Sequence, residues 1–549
     1  MGEVGVVLAM LLAVVASGYV VRLLPIALPL PLVQIGLGVA IASFGWHPVR
    51  LEPHTFFILF LPPLLFLDGW RIPKVGLFRD KGVILELALG LVLFTVVGAG
   101  FLIHWLIPEM PLALSFALAA ILAPTDPVAV GSIAARVPIP PRLMHILEGE
   151  SLLNDASGLV CFRFAVAAAL TGSFSLGSAA LTFLWVALGG IATGVVITLA
   201  MGAVQRLLAK RFGEEPGASI LLNLLLPFGA YLAAEHIAAS GILAAVAAGI
   251  TMSYVELGGR ALATTRVRRN VVWDTVQFSL NGVMFVLLGE QLPDIVRAAL
   301  RGPDLPVPRD FWWLAGNALA ISLGLILLRL VWVWVSLRLS RMAARRAGRE
   351  GIMPRKRLIF ATSLAGVRGA ITLAGILTLP LALPGGEPFP GRDLAVFLAS
   401  AVIVVSLIVA SVGLPRVLRG LELPPETASE IEEERARQAA ALAALGAIDM
   451  AGHPTPFDEK DADIHASAAE QVRGLYQHRL GGGSGDGTHP ARVRVAEEAE
   501  RHYRLAALSA ERKVLQQMAR HGQLSDETAR RLVQEIDLVE ARYRSPGTH

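Results

Sequence analysis

The sequence predicts an all-α membrane protein of about thirteen spanning helices, followed by a soluble helical tail. Three observations carry that prediction. Apolar runs near twenty residues long recur from Val4 to about Leu418, each long enough to cross about 30 Å of hydrocarbon as a helix. Hydrophobic residues make up 54% of the 549 and charged residues only 17%, where a soluble domain carries about a quarter charged. From Glu422 onward charges become dense, Gly and Pro cluster, and no run is able to span a bilayer. The expected division is therefore a membrane domain over 1–420 and a tail over 421–549.

Hydropathy and loop punctuation place spans at 4–21, 27–46, 55–70, 82–105, 111–133, 143–170 and 180–208, then at 217–235, 240–256, 271–296, 311–339, 357–381 and 393–418. Charge in the connections tests that order. With the N-terminus outside, the inward loops carry Arg22, the Arg71–Lys81 cluster, Arg136 and Arg142. They go on to carry the clusters 206–211, 260–269 and 338–357, then Arg416 and Arg419. Those loops hold 24 Lys and Arg, and the outward loops hold five. The asymmetry is what the positive-inside rule requires, and an odd number of spans leaves the tail in the cytoplasm.

Residues 1–420 carry a balance of +10 and the tail −6. Short loops between apolar spans account for the first figure, so nucleic-acid binding is not expected. The single cysteine, Cys161, excludes an intramolecular disulfide and a Cys-type zinc site. Met-Gly-Glu-Val at the start lacks a basic n-region, so the first apolar run reads as a span rather than a cleaved signal.

Ionisable groups deep in a span cost a few kcal/mol or more and face partners or water-filled paths. Asp68, Glu86, Glu235, Asp274 and Glu290 sit near span ends and read as interfacial groups. Asp126, Glu150, Asp155, Arg163, Arg329 and Arg368 do not. Asp126 lies in Ala-Pro-Thr-Asp-Pro (123–127), halfway along the fifth span, where two prolines break the helix. Loose carbonyls beside a carboxylate suit a hard cation; the plainer alternative is a proline kink capped by Asp126. In Glu148-Gly-Glu-Ser-Leu-Leu-Asn-Asp155, Glu150 and Asn154 are four apart, as are Ser151 and Asp155, so two polar ridges share one side of the sixth span. Arg368 in Gly366-Val-Arg-Gly369 interrupts the twelfth span. Paired broken spans in matching positions point to an inverted-repeat transporter with its site near the midplane. Arg368 needs a carboxylate, and Glu150 is the expected partner. Arg163 is expected to pair structurally near the outer end, and Arg329, among aromatic and aliphatic neighbours, has no assigned role.

Phe60-Leu-Pro-Pro-Leu-Leu-Phe66, Thr125-Asp126-Pro127, Gly149-Glu-Ser-Leu-Leu-Asn-Asp155, Gly241-Ile-Leu-Ala-Ala-Val246 and Gly366-Val-Arg-Gly369 occur in this order. The pattern resembles the bacterial NhaP-like sodium/proton antiporters, over about 420 residues. The resemblance implies a thirteen-span inverted-repeat homodimer working by elevator-like alternating access. It implies a cation site made of the Asp126 and Asp155 carboxylates, the Ser151 hydroxyl and the Thr125 main-chain oxygen. Glu150 paired with Arg368 and the non-titrating Asn154 would support that site. The expected activity is exchange of Na+, or Li+, for H+ across the plasma (inner) membrane of a bacterium. It would be electroneutral and serve pH and sodium homeostasis, with no cofactor and no enzymatic reaction. A potassium/proton antiporter is the serious alternative and a passive channel a weaker one. An intramembrane protease lacks a nucleophile and base pair, since Ser151 has only His145 nearby in sequence.

In the tail a flexible break is expected at Gly481–Gly487. Beyond it Leu505, Leu508, Leu515 and Met518 form one apolar stripe; Leu532, Ile536, Val539 and Tyr543 form another. Each stripe must be buried, against the other or against a second copy.

Overall fold

The computed structural model describes residues 3–23, 28–43, 53–71, 82, 86–126, 130–131, 141–171, 176–213, 215–257, 263–301, 310–346, 356–383 and 387–419 of the apolar part. In the tail it describes 438–448, 467, 469–474, 476–477, 503–515, 517–518, 521 and 526–543. The chain divides into two compact units, Met1–Leu421 and Glu422–His549.

The first unit is helical; among the described residues its only strand-like feature is a single bridge between Ala382 and Pro388. In order the helices are α1 (Glu3–Leu23), α2 (Leu30–Ser43), α3 (Pro53–Arg71) and α4 (Val92–Leu106), the last entered through a wide π-type turn over Glu86–Leu91. Then come α5 (Leu112–Leu122), α6 (Pro141–Thr171), α7 (Leu176–Phe212), α8 (Pro216–His236) and α9 (Gly241–Leu257). The unit ends with α10 (Ala263–Arg301), α11 (Phe311–Arg346), α12 (Lys356–Leu364), α13 (Ala370–Leu377) and α14 (Arg392–Leu418). Each of the thirteen stretches expected from hydropathy contains some described helix, though parts of several lie outside the described residues and the twelfth is interrupted at 365–369. Among the described residues, seven helical segments are long and apolar enough to cross a membrane by themselves, from Gly5–Leu23 to Arg392–Leu418. The others include short apolar helices (α2, α5, α9), the polar-centred α6 and the divided pair α12/α13. The fifth span's continuation beyond Asp126 lies outside the described residues, save 130–131.

These helices are apolar on nearly every side, as a lipid solvent permits. In α1 the inward stripe Val6, Met10, Ala13, Val14 and Ser17 follows three- and four-residue spacing, while Leu8, Leu12, Val15 and Tyr19 face outward. With no hydrophobic force between helices in lipid, close approach depends on small residues. Against α10, Gly38 of α2 leaves no room for a Cβ before the Val286 carbonyl, and Gly289 none before that of Ile35. The position of α14 differs from that of α7: 61% of its apolar window is buried against 17%. α14 packs against both broken spans, the α12/α13 pair and α5, and α5 is itself buried from Ala117 to Leu122.

In the second unit, helix 503–515 pairs with α15 (Asp526–Tyr543). Arg512 contacts Asp537 at 2.7 Å and also Glu540, and Arg504 lies over the ring of Tyr543. Ile536 is buried, so the second predicted stripe meets its neighbour through at least that residue. The Gly-rich break at 481–487 lies outside the described residues.

Candidate functional site

The two interruptions meet. α5 stops at Leu122, and a non-helical segment runs to Asp126; α12 stops at Leu364, and the chain is unwound until α13 begins at Ala370. The main-chain N–H of Asp126 donates to the Val367 carbonyl at 2.7 Å, tying one break to the other. Gly369 is needed there, because a Cβ at that position would overlap the Asp126 carboxylate.

Every broken helix frees carbonyls, and the end of a helix carries partial negative charge. Arg368 answers both demands. Its Nε donates to the Leu122 carbonyl at 2.9 Å and its Nη1 to the Gly366 carbonyl. Its own N–H donates to Ser406 Oγ of α14 at 3.1 Å. One guanidinium thus covers main-chain oxygens at the ends of α5 and α12.

The expected Arg368–Glu150 pair is therefore corrected. Glu150 pairs with Arg329 of α11, which donates to both carboxylate oxygens, Nη1 at 2.6 Å and Nη2 at 2.7 Å. Arg329 Nε also donates to the Thr362 carbonyl at 3.0 Å. The physical reason is local: Arg368 sits inside the unwound segment, where orphaned carbonyls lie closer than any side-chain acid. Arg329, to which the sequence assigns no role, is buried and donates through Nε, Nη1 and Nη2. Glu150 Oε1 further accepts from the Thr125 hydroxyl at 3.3 Å, and Thr125 Oγ1 accepts from Asn154 Nδ2 at 3.2 Å. The chain Asn154–Thr125–Glu150–Arg329 fastens the break in α5 to α6 and α11.

Beside this network lies a cavity of about 30 Å³, lined by Asp68, Thr125, Asp126, Ser151, Asp155, Gln277, Asn281 and Thr372 among others. Four of these, Thr125, Asp126, Ser151 and Asp155, are the residues the sequence singled out. Asp68 is a correction: read as interfacial, it lines the cavity and brings a third carboxylate. Its place inside the last turn is the same in the predicted span 55–70 and in α3; which way it faces follows from packing. Gln277 and Asn281, four apart on α10, are uncharged and escape any search for misplaced charge. A cavity this size admits about two water-sized bodies and no organic solute. Buried oxygens around it are the donor set a dehydrated alkali ion takes.

Elsewhere Arg163 pairs with Glu235 of α8 at 3.1 Å, half-exposed, in line with a structural role. The side chain of His145 lies outside the described residues.

A family model described as the transmembrane sodium/hydrogen exchanger matches residues 8–420. The chain is 42% identical to an uncharacterized Na(+)/H(+) exchanger, YjcE, of Escherichia coli, over 97% of this chain and 98% of that one. It is 38% identical to the sodium, potassium, lithium and rubidium/H(+) antiporter of Bacillus subtilis, over 98% and 78%. Its fold matches the sodium proton antiporter MjNhaP1 of Methanocaldococcus jannaschii with a TM-score of 0.58 at 18% identity, covering 76% of this chain and 98% of that structure. Two broken helices meeting at a buried acid cluster, on a scaffold shared with these proteins, place the chain: it belongs to the sodium/hydrogen exchanger family, as a multi-pass membrane protein that exchanges monovalent cations for protons.

Proposed function

We propose that the cavity bounded by Asp68, Asp126, Ser151 and Asp155 is the transport site, that sodium is its principal cation, and that one proton is exchanged per cation. The single observation that carries this is the gathering of three carboxylates around a cavity of about 30 Å³. A proton or a metal ion is able to offset buried negative charge, and the empty anionic site is too costly to carry through an apolar barrier. Both loaded forms cross and the empty one does not, which enforces exchange. Thr125 offers its main-chain oxygen, since its hydroxyl is taken up by Glu150 and Asn154. Glu150, Asn154, Arg329 and Arg368 hold the broken helices and carry no cargo.

Charge asymmetry supports an outside N-terminus and a cytoplasmic tail. The NhaP-like motifs support a homodimer in a bacterial plasma membrane, serving sodium and pH homeostasis. Potassium is the second reading: the Bacillus subtilis relative is named for sodium, potassium, lithium and rubidium together. In everted vesicles with an imposed pH gradient, sodium is expected to collapse the gradient for the natural chain and not for Asp155→Asn. Equal collapse by that variant overturns the assignment.

A further inference from the structure

Arg71 ends α3 three residues after Asp68 and reaches across to α10. Its Nη1 donates to Oε1 of Gln277 at 2.9 Å, and its Nη2 meets Asp274 Oδ1 at 2.5 Å. Asp274 and Gln277 are three apart, so one face of α10 presents both to the same guanidinium. A guanidinium has donors only. Of the two ends of the Gln277 amide, the oxygen alone is able to face Arg71, and the NH2 is turned away from it. Gln277 also lines the cavity that holds Asp68, Asp126 and Asp155.

We propose that Arg71 is a positioning residue that, through Gln277, sets the affinity and selectivity of the transport site. Held by the Arg71–Asp274 clasp, the Gln277 amide keeps its oxygen engaged and withheld from the cation, which leaves its NH2 as the end available to the acid cluster. The donors compete with the cation for carboxylate lone pairs and favour its release. The withheld oxygen matters more for potassium than for sodium, because a larger ion takes more oxygen ligands, as calcium does beside magnesium. This inference rests on the reading that the cation occupies this cavity.

The test uses the full chain in proteoliposomes, with apparent KM for Na+ and for K+ read from collapse of an imposed pH gradient. Arg71→Lys keeps the charge and loses the planar two-point fork. It is expected to lower both KM values by about 3- to 10-fold, the equivalent of one neutral hydrogen bond, with the larger change for K+. Gln277→Leu removes the amide, so Arg71→Lys added to Gln277→Leu is expected to change nothing further. Arg71→Ala and Gln277→Ala repeat the comparison should either first variant fail to reach the membrane. An Arg71→Lys chain with unaltered KM overturns the proposal, as does a shift that persists on the Gln277→Leu background. Asp155→Asn run in parallel separates the two readings. If it is silent, the Arg71 result bears on the clasp alone; if it transports, the cavity is not the site.

Discussion

Glu150 and Arg329 form a two-point ion pair at 2.6 and 2.7 Å, with both side chains almost wholly buried. The pair does more than cancel charge. Arg329 also holds the Thr362 carbonyl in the last turn of α12, and Glu150 holds the Thr125 hydroxyl in the break after α5. One buried contact therefore positions both interrupted spans from two other helices, α6 and α11.

Removing one partner of such a pair leaves an uncompensated buried charge, which costs about 3–5 kcal/mol. Arg329→Met is expected to lower thermal stability in detergent by an amount of that order. Adding Glu150→Gln neutralises the orphan and is expected to restore much of the loss. A double variant as unstable as the sum of the two singles would show that the charges are not paired.

Arg368 makes the complementary prediction. It is bound to main-chain oxygens of Leu122 and Gly366 rather than to an acid. Arg368→Ala strips buried carbonyls of their donor, at about 1–3 kcal/mol for each group left unsatisfied, and is expected to abolish exchange. Glu150→Gln is not expected to rescue it, in contrast to its effect on Arg329→Met. Recovery of transport in the Arg368→Ala, Glu150→Gln double variant would restore the pairing that the sequence alone suggests.

Gly369 tests the closeness of the two breaks. An added methyl there meets the Asp126 carboxylate, whereas at Gly316 of α11 it meets nothing within 4 Å. Gly369→Ala is expected to raise the KM for sodium or stop exchange, and Gly316→Ala to leave it unchanged. Equal behaviour of the two variants would mean that Asp126 has room to move aside without consequence.

Much of this architecture was legible in the chain. Prolines 124 and 127 and the glycines around Arg368 announce the two interruptions because they act through the backbone, whose rules are local. The ridges of α6 are legible because helical spacing alone puts Ser151 beside Asp155. Partner choice was not legible. Whether Glu150 meets Arg329 or Arg368 depends on which carbonyls are orphaned nearby, and that follows from three helices packing together. Asp68 was misread because it lies two residues from the end of the predicted span 55–70, and closeness to an end does not tell a side chain that faces headgroups from one that faces a cavity; only the packing of α3 against the broken spans does. Gln277 and Asn281 gave no signal, since a neutral amide in a span is cheap enough to be unremarkable.

Asp68 yields the last prediction. It is the third carboxylate of the cavity and comes from a helix, α3, that takes part in neither break. Asp68→Asn keeps an oxygen of similar reach and removes one negative charge, while Asp126 and Asp155 still supply the groups for which proton and cation compete. Exchange is therefore expected to continue, with the apparent KM for sodium raised by about tenfold, the equivalent of roughly 1.4 kcal/mol. Asp155→Asn, by contrast, is expected to be silent at every sodium concentration. Concentration series in vesicles distinguish the two, because a weakened site recovers at high sodium and a missing one does not. An unchanged KM in Asp68→Asn would reduce this residue to a part of the cavity wall, leaving Asp126 and Asp155 as the only charges that bind the ion.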